Sequence, residues 1–169
     1  MTPEFFRPEF SRLVPLERIR AAGLTITVEA DAAERAALAV RLGLPELCAL
    51  SCRFRLRPAQ AGAVAAEGAL SARVRQVSVV SLEEFEAEVT EDFLLRFVPE
   101  GSEAVELDPE SVDEMPYTGD TIDLGEAAAE QLALALDPYP RREGEELPMD
   151  VEPTPENPFL RLARLRRPE

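Results

Sequence analysis

Two stretches decide how this chain folds: Cys48-Ala49-Leu50-Ser51-Cys52-Arg53-Phe54-Arg55-Leu56-Arg57 and Gly68-Ala69-Leu70-Ser71-Ala72-Arg73-Val74-Arg75. Apolar and polar residues alternate in both, the period of a strand with one buried face. Cys48, Leu50, Cys52, Phe54 and Leu56 fall on one face of the first stretch, and Ala49, Ser51, Arg53, Arg55 and Arg57 on the other. Leu70, Ala72 and Val74 oppose Ser71, Arg73 and Arg75 in the second. Pro58 ends the first run, Ala59–Ala66 reads as a small-residue loop, and the two strands are expected to pair antiparallel. The apolar phase shifts at Gln76-Val77, which predicts a bulge or corner there, with Val77–Val80 continuing extended.

Upstream, Leu24–Val28 alternates as a further strand. Asp31 and Glu34 are spaced as an N-cap acceptor and its N3 acid, so they open a helix whose apolar stripe is Ala36, Leu38, Ala39 and Leu42. Gly43 and Pro45 stop it. Downstream, Phe85–Phe97 reads as a bent strand with Val89, Phe93, Leu95 and Phe97 toward the core. Residues 99–120, rich in Pro, Gly and acids, read as an acidic loop. Asp123 and Glu126 repeat the capping arrangement, with Ile122 as a hydrophobic staple and Ala128, Leu132, Ala135 and Leu136 as the buried stripe of a second helix. Pro138 ends that helix.

The expected fold class is therefore α+β: a curved antiparallel sheet of four to five strands packed with two helices, an acidic loop and a mobile C-terminal tail. Residues 10–140 are expected to form one domain, preceded by an arm over Met1–Phe10. Residues 141–169 read as a flexible tail whose end, Phe159–Arg167, is short, basic and amphipathic.

Composition narrows the function. The chain has 169 residues, enough for one domain with a proper core, and 46% of them are apolar. No apolar run approaches the roughly 18–20 residues of a membrane helix, and Met1–Phe10 is no secretory signal. Two cysteines make no disulfide framework, so a reduced, cytoplasmic setting is expected. Histidine is absent, which removes Ser-His and Cys-His nucleophiles and histidine-ligated metals. Cys48 and Cys52 read as plain core residues, and neither a Walker A loop nor GxGxxG nor GxSxG occurs. No catalytic residue, cofactor or metal is expected.

The charge is unevenly spread. Residues 1–76 hold 11 arginines against 8 acids, residues 77–140 hold 18 acids against Arg96 alone, and residues 141–169 hold 6 arginines against 7 acids. Lysine is absent. The net charge of −15 does not suit a whole-chain nucleic-acid binder, so any RNA contact needs a local basic face. The candidate is the arginine ribbon of the two deciding strands: Arg53, Arg55 and Arg57 beside Arg73 and Arg75, with Gln76 at its end. These guanidiniums either grip phosphates or pair with the chain's own Glu84, Glu86 and Glu88.

Gly68-x-Leu70-x-Ala72-x-Val74-x-Gln76-x-Ser78-Val79-Val80-Ser81-Leu82-Glu83 resembles the central signature of the YceD family, the large ribosomal RNA subunit accumulation proteins. Ala30-x-x-x-Glu34-Arg35-x-x-Leu38-Ala39 upstream is similar to that family too, as are Ile122–Glu126, Leu136–Arg141 and Pro158-Phe159-x-x-Leu162 downstream. Ser78 stands where the signature usually has cysteine, Ser81 where it has threonine and Glu84 where it has proline. Arg141-Arg142-Glu143-Gly144 replaces the cysteine-rich stretch of many relatives, as in a cysteine-poor branch, so no metal role is implied. The resemblance implies a cytoplasmic, non-enzymatic factor for 23S ribosomal RNA accumulation or processing, hence for large-subunit assembly. Its expected partner is precursor 23S rRNA or an early large-subunit particle. The alternative is an acidic adaptor or holdase for a basic ribosomal protein, with Glu103, Glu106, Asp108 and Glu110 as the contact residues and no RNA contact.

Overall fold

The computed structural model describes residues 8–102 and 112–145. Its elements are β1 (Leu13–Pro15), β2 (Leu24–Glu29), α1 (Ala32–Leu42), β3 (Glu46–Pro58), β4 (Val64–Val77), β5 (Glu84–Pro99), β6 (Asp113–Tyr117), β7 (Thr121–Asp123) and α2 (Leu124–Ala135). Five strands form one sheet in the order β2-β3-β4-β5-β6, and β1 pairs with β7 in a separate two-stranded ribbon. The α+β class is that of the sequence reading, with one change of direction. Strands β2 to β5 are antiparallel, but β6 joins β5 in parallel, Leu95 opposite Asp113. The chain turns back after Pro99 before re-entering the sheet, so β6 runs with β5 and the sheet is mixed. Part of the expected acidic loop is thus strand; its residues 103–111 lie outside the described residues.

The inner face of the sheet is the core. Leu50, Cys52, Phe54 and Leu56 of β3 and Val64, Ala66, Leu70, Ala72 and Val74 of β4 are all buried there. Leu38 and Ala39 of α1 and Leu124, Ala128 and Leu132 of α2 close over them. Of the bulge or corner expected at Gln76-Val77, the corner is there, since β4 ends at Val77 and the chain turns; the bulge lies in β3. Register slips between Leu47 (opposite Val74) and Ala49 (opposite Arg73), so Cys48 is the extra residue. Leu47 and Leu50 are both buried, three apart, and Cys48 drops out of the face it was expected to share with Cys52.

Both helices start as their sequences direct. Asp31 accepts from the Glu34 N–H at 2.9 Å while Glu34 accepts from the Asp31 N–H at 2.8 Å, a reciprocal capping box. Asp123 accepts from the N–H groups of Gly125 (2.9 Å) and Glu126 (3.2 Å). Gly43 ends α1 at φ +66°, a left-handed position that glycine takes without strain. Arg12 joins the two starts: its guanidinium makes a bidentate pair with Glu34 at 2.6 and 2.8 Å, and its N–H donates to Asp123 at 2.8 Å. The expected N-terminal arm is therefore shorter than Met1–Phe10, because Phe10 is fully buried beside α2; residues 1–7 lie outside the described residues.

Residues 78–83 form a turn where an extended continuation was expected. Ser78 Oγ accepts from the N–H groups of Val80 and Ser81, and the Leu82 N–H donates to the Ser78 carbonyl, so the chain closes on itself. Residues 142–145 fold back onto this turn. Ser78 and Ser81 both donate to the Glu145 carboxylate, the latter at 2.6 Å, and Arg142 bonds Glu83 and the Glu84 carbonyl. The amphipathic end Phe159–Arg167 lies outside the described residues.

Candidate nucleic-acid interface

Alternation along β3 and β4 carries Arg53, Arg55, Arg57, Arg73 and Arg75 to the outer face of the sheet, opposite the helices. Gln76 does not join them. One residue after Arg75, it points inward, is only 7% exposed, and its amide donates to the Asp137 carbonyl at 3.5 Å. It fastens β4 to the segment after α2. Gln76 is thus removed from the contact set by the period of its own strand.

The five arginines divide into two groups. Arg73 and Arg75 lie opposite Glu88 and Glu86 in register and reach the diagonal neighbours: Arg73 pairs with Glu86 at 3.2 Å and Arg75 with Glu84 at 4.0 Å. Arg75 also meets Glu46 at 2.7 Å, across β3. For this pair, the internal neutralisation foreseen from Glu84 and Glu86 is realised. Arg55 pairs with Glu67, its register partner, at 3.2 Å. Among the described residues, the side chains of Arg53 and Arg57 make no ion pair or hydrogen bond. Both are exposed.

A hollow of about 360 Å³ opens beside Arg53 and Arg55, lined also by Thr25, Glu67, Asp92, Leu94 and the small residues Gly68 and Ala69. Thr25 and Thr27 stand opposite Arg55 and Arg53 on β2, so hydroxyl and guanidinium donors share one surface. The Arg55–Glu67 pair is more than half exposed on the Arg side, and such pairs are worth about 0–1 kcal/mol. An incoming phosphate can displace Glu67 at little cost.

Two further arginines were not anticipated. Arg18 and Arg20 are exposed and unpaired among the described residues. The turn that follows them bonds Gly23 N–H to the Arg20 carbonyl at 2.7 Å, and Gly23 sits against Leu56 and Arg57. Pairing β2 with β3 in the sequence would have placed that turn beside Arg57. Glu103, Glu106, Asp108 and Glu110 lie outside the described residues. No cluster of three metal-binding side chains occurs among the described residues, and Cys48 and Cys52 are free thiols. Burial pushes the Cys52 thiol up to about 12, so it stays protonated. No helix among the described residues is long and apolar enough to cross a membrane.

No curated protein and no solved structure matches the chain. A family model described as "Large ribosomal RNA subunit accumulation protein YceD" matches residues 66–165. The match takes in Arg73 and Arg75, the Ser78–Glu83 turn and its Glu145 brace, and it begins after Arg57. Covering more than half of the sequence, it shows that the chain belongs to the YceD family, whose name assigns it a role in accumulation of large-subunit ribosomal RNA.

Proposed function

We propose that the chain serves large-subunit rRNA accumulation as a cytoplasmic binding factor, not a catalyst, and that its outer sheet face contacts phosphates of precursor 23S rRNA or of an early large-subunit particle. Arg53 and Arg57 carry this reading: two exposed guanidiniums on one strand face that pair with no acid among the described residues. Arg55, Arg18 and Arg20 extend the patch, and the hydroxyls of Thr25 and Thr27 add neutral donors. Arg73 and Arg75 contribute less, because each already holds a glutamate. Phosphate contacts of this kind fix position and leave sequence unread.

The test is binding of the full chain to precursor rRNA across a salt series. Arg53→Glu/Arg57→Glu should weaken binding and lower the slope of log K against log salt by about 1.4–1.8, the loss of two phosphate contacts. Arg73→Glu/Arg75→Glu should do less. Unchanged affinity and slope in the first variant, with its circular dichroism intact, would exclude the outer face as the contact.

A further inference from the structure

Strand β5 is much longer than its neighbour β6. β6 covers only Leu95–Pro99, whereas β4 pairs with β5 from Glu84 to Phe97. From Glu84 to Leu94 the far edge of β5 has no strand partner among the described residues. At about 3.3 Å per residue, that is an edge about 36 Å long, carrying backbone donors and acceptors on alternate residues.

A groove of about 310 Å³ runs against this edge. Phe85, Ala87 and Val89 of β5 line one side and Ala135 and Pro140 the other, with Gln76, Glu88, Thr90, Asp137 and Arg141 as its polar wall. The three β5 residues and Ala135 and Pro140 are its apolar part. All five are half-buried. Beside this edge stand Glu88 and Asp92 on the outer face and Glu91 on the inner, exposed and without a cation among the described residues. Acids alone on a free edge guard against edge-to-edge association. A guard needs no pocket, however, and here Phe85, Ala87 and Val89, at every second position, open onto one.

We propose that the β5 edge takes an extended, basic segment of a partner protein as an added strand. Backbone pairing supplies affinity, the groove takes an apolar side chain at every second position, and Glu88, Glu91 and Asp92 select Arg or Lys between them. Proteins that neutralise nucleic-acid phosphates carry such cationic segments, which suits a family tied to ribosomal RNA. Asp92 also lines the hollow beside Arg53, so the two surfaces adjoin; what sets this one apart is the β5 backbone edge and its inner-face groove.

The probe is a capped peptide of alternating arginine and valine, eleven residues long by design, added to the full chain. Amide exchange over Glu84–Leu94 should slow on alternate residues, and binding followed by fluorescence anisotropy should saturate. N-methylation of alternate peptide nitrogens removes strand pairing without changing charge, and should weaken binding by about tenfold or more. Glu91→Arg, which lies in register with Leu70 and not with the arginines, should weaken it while leaving rRNA binding in place, which separates this test from the previous one. The Glu91 side chain is exposed and makes no ion pair among the described residues, so the fold should persist; circular dichroism checks it. Equal binding of the N-methylated peptide, protection elsewhere in the sheet, or a β5 edge already protected in the free chain by its own residues or by a second copy would each overturn the proposal.

Discussion

The ring of Phe93 occupies the space that a side chain at Gly68 would need: a Cβ built there would lie 2.1 Å from Cζ of Phe93. Gly68 and Phe93 are register partners on β4 and β5, and Phe93 also meets Phe54 edge-on, with ring centroids 5.8 Å apart. The signature glycine is therefore a seat for an aromatic ring that closes one end of the core.

Gly68→Ala should destabilise the protein by about 1–3 kcal/mol, because the ring is held between two strands and cannot retreat freely. Urea unfolding of the single variants and of Gly68→Ala/Phe93→Ala checks it. The double variant should be less destabilised than the sum, since the added methyl then enters the space the ring has left.

Asp123 accepts four hydrogen bonds. It caps α2 through Gly125 and Glu126 and also accepts from the Ser11 hydroxyl (2.6 Å) and the Arg12 N–H (2.8 Å). Asp123→Ala should cost about 2–3 kcal/mol, more than an ordinary cap, because partly buried donors lose their acceptor as well. The midpoint of urea unfolding reads this directly. A loss no larger than that of Asp31→Ala would show that the Ser11–Arg12 segment finds other partners.

The Glu145 carboxyl is held below its ordinary value of 4.5, first by the Ser78 hydroxyl and then by that of Ser81. A carboxyl depressed in the folded state contributes stability that is full above its unfolded value and is lost as pH falls through the folded one. The brace on the Ser78–Glu83 turn should therefore be intact at neutral pH and release only below pH 4.5. Amide exchange of Val80, Ser81 and Leu82 on acidification is the measurement. Ser78→Ala should move the Glu145 titration upward, as carboxyl carbon shifts would show.

The two thiols should differ sharply. Cys52 is fully buried, with its pKa raised to about 12 by desolvation, whereas Cys48 sits on the β3 bulge, half-exposed. Near pH 8 a maleimide should label Cys48 alone, and Cys52 only after denaturation. Mass spectrometry of the labelled chain decides it; equal labelling would place Cys52 outside the core.

Much of this could be read from local pattern. Period-two alternation at Cys52–Arg57 and Leu70–Arg75 located β3 and β4 and sent the arginines outward, and Asp31 and Asp123 marked both helix starts, because a cap is decided by residues within one turn. The family signature was legible as a string of residues, but its physical work is long-range: Gly68 seats the ring of Phe93 and Gln76 bonds the Asp137 carbonyl, while Ser78, in the signature's usual cysteine position, anchors a turn.

What the chain alone did not decide was pairing between distant segments. The position of the bulge depends on how β3 meets β4, since alternation past Cys48 is broken only by the partner's register. The direction of β6 depends on where the chain goes after Pro99, and the stretch of β5 without a strand partner among the described residues follows from that. The arginines are alike in sequence; register gives Glu67, Glu84 and Glu86 to three of them and none to Arg53 and Arg57. Local sterics and hydrogen bonds act within a few residues and are written in the sequence, whereas a charge's partner is chosen by strands that meet only once the sheet has formed.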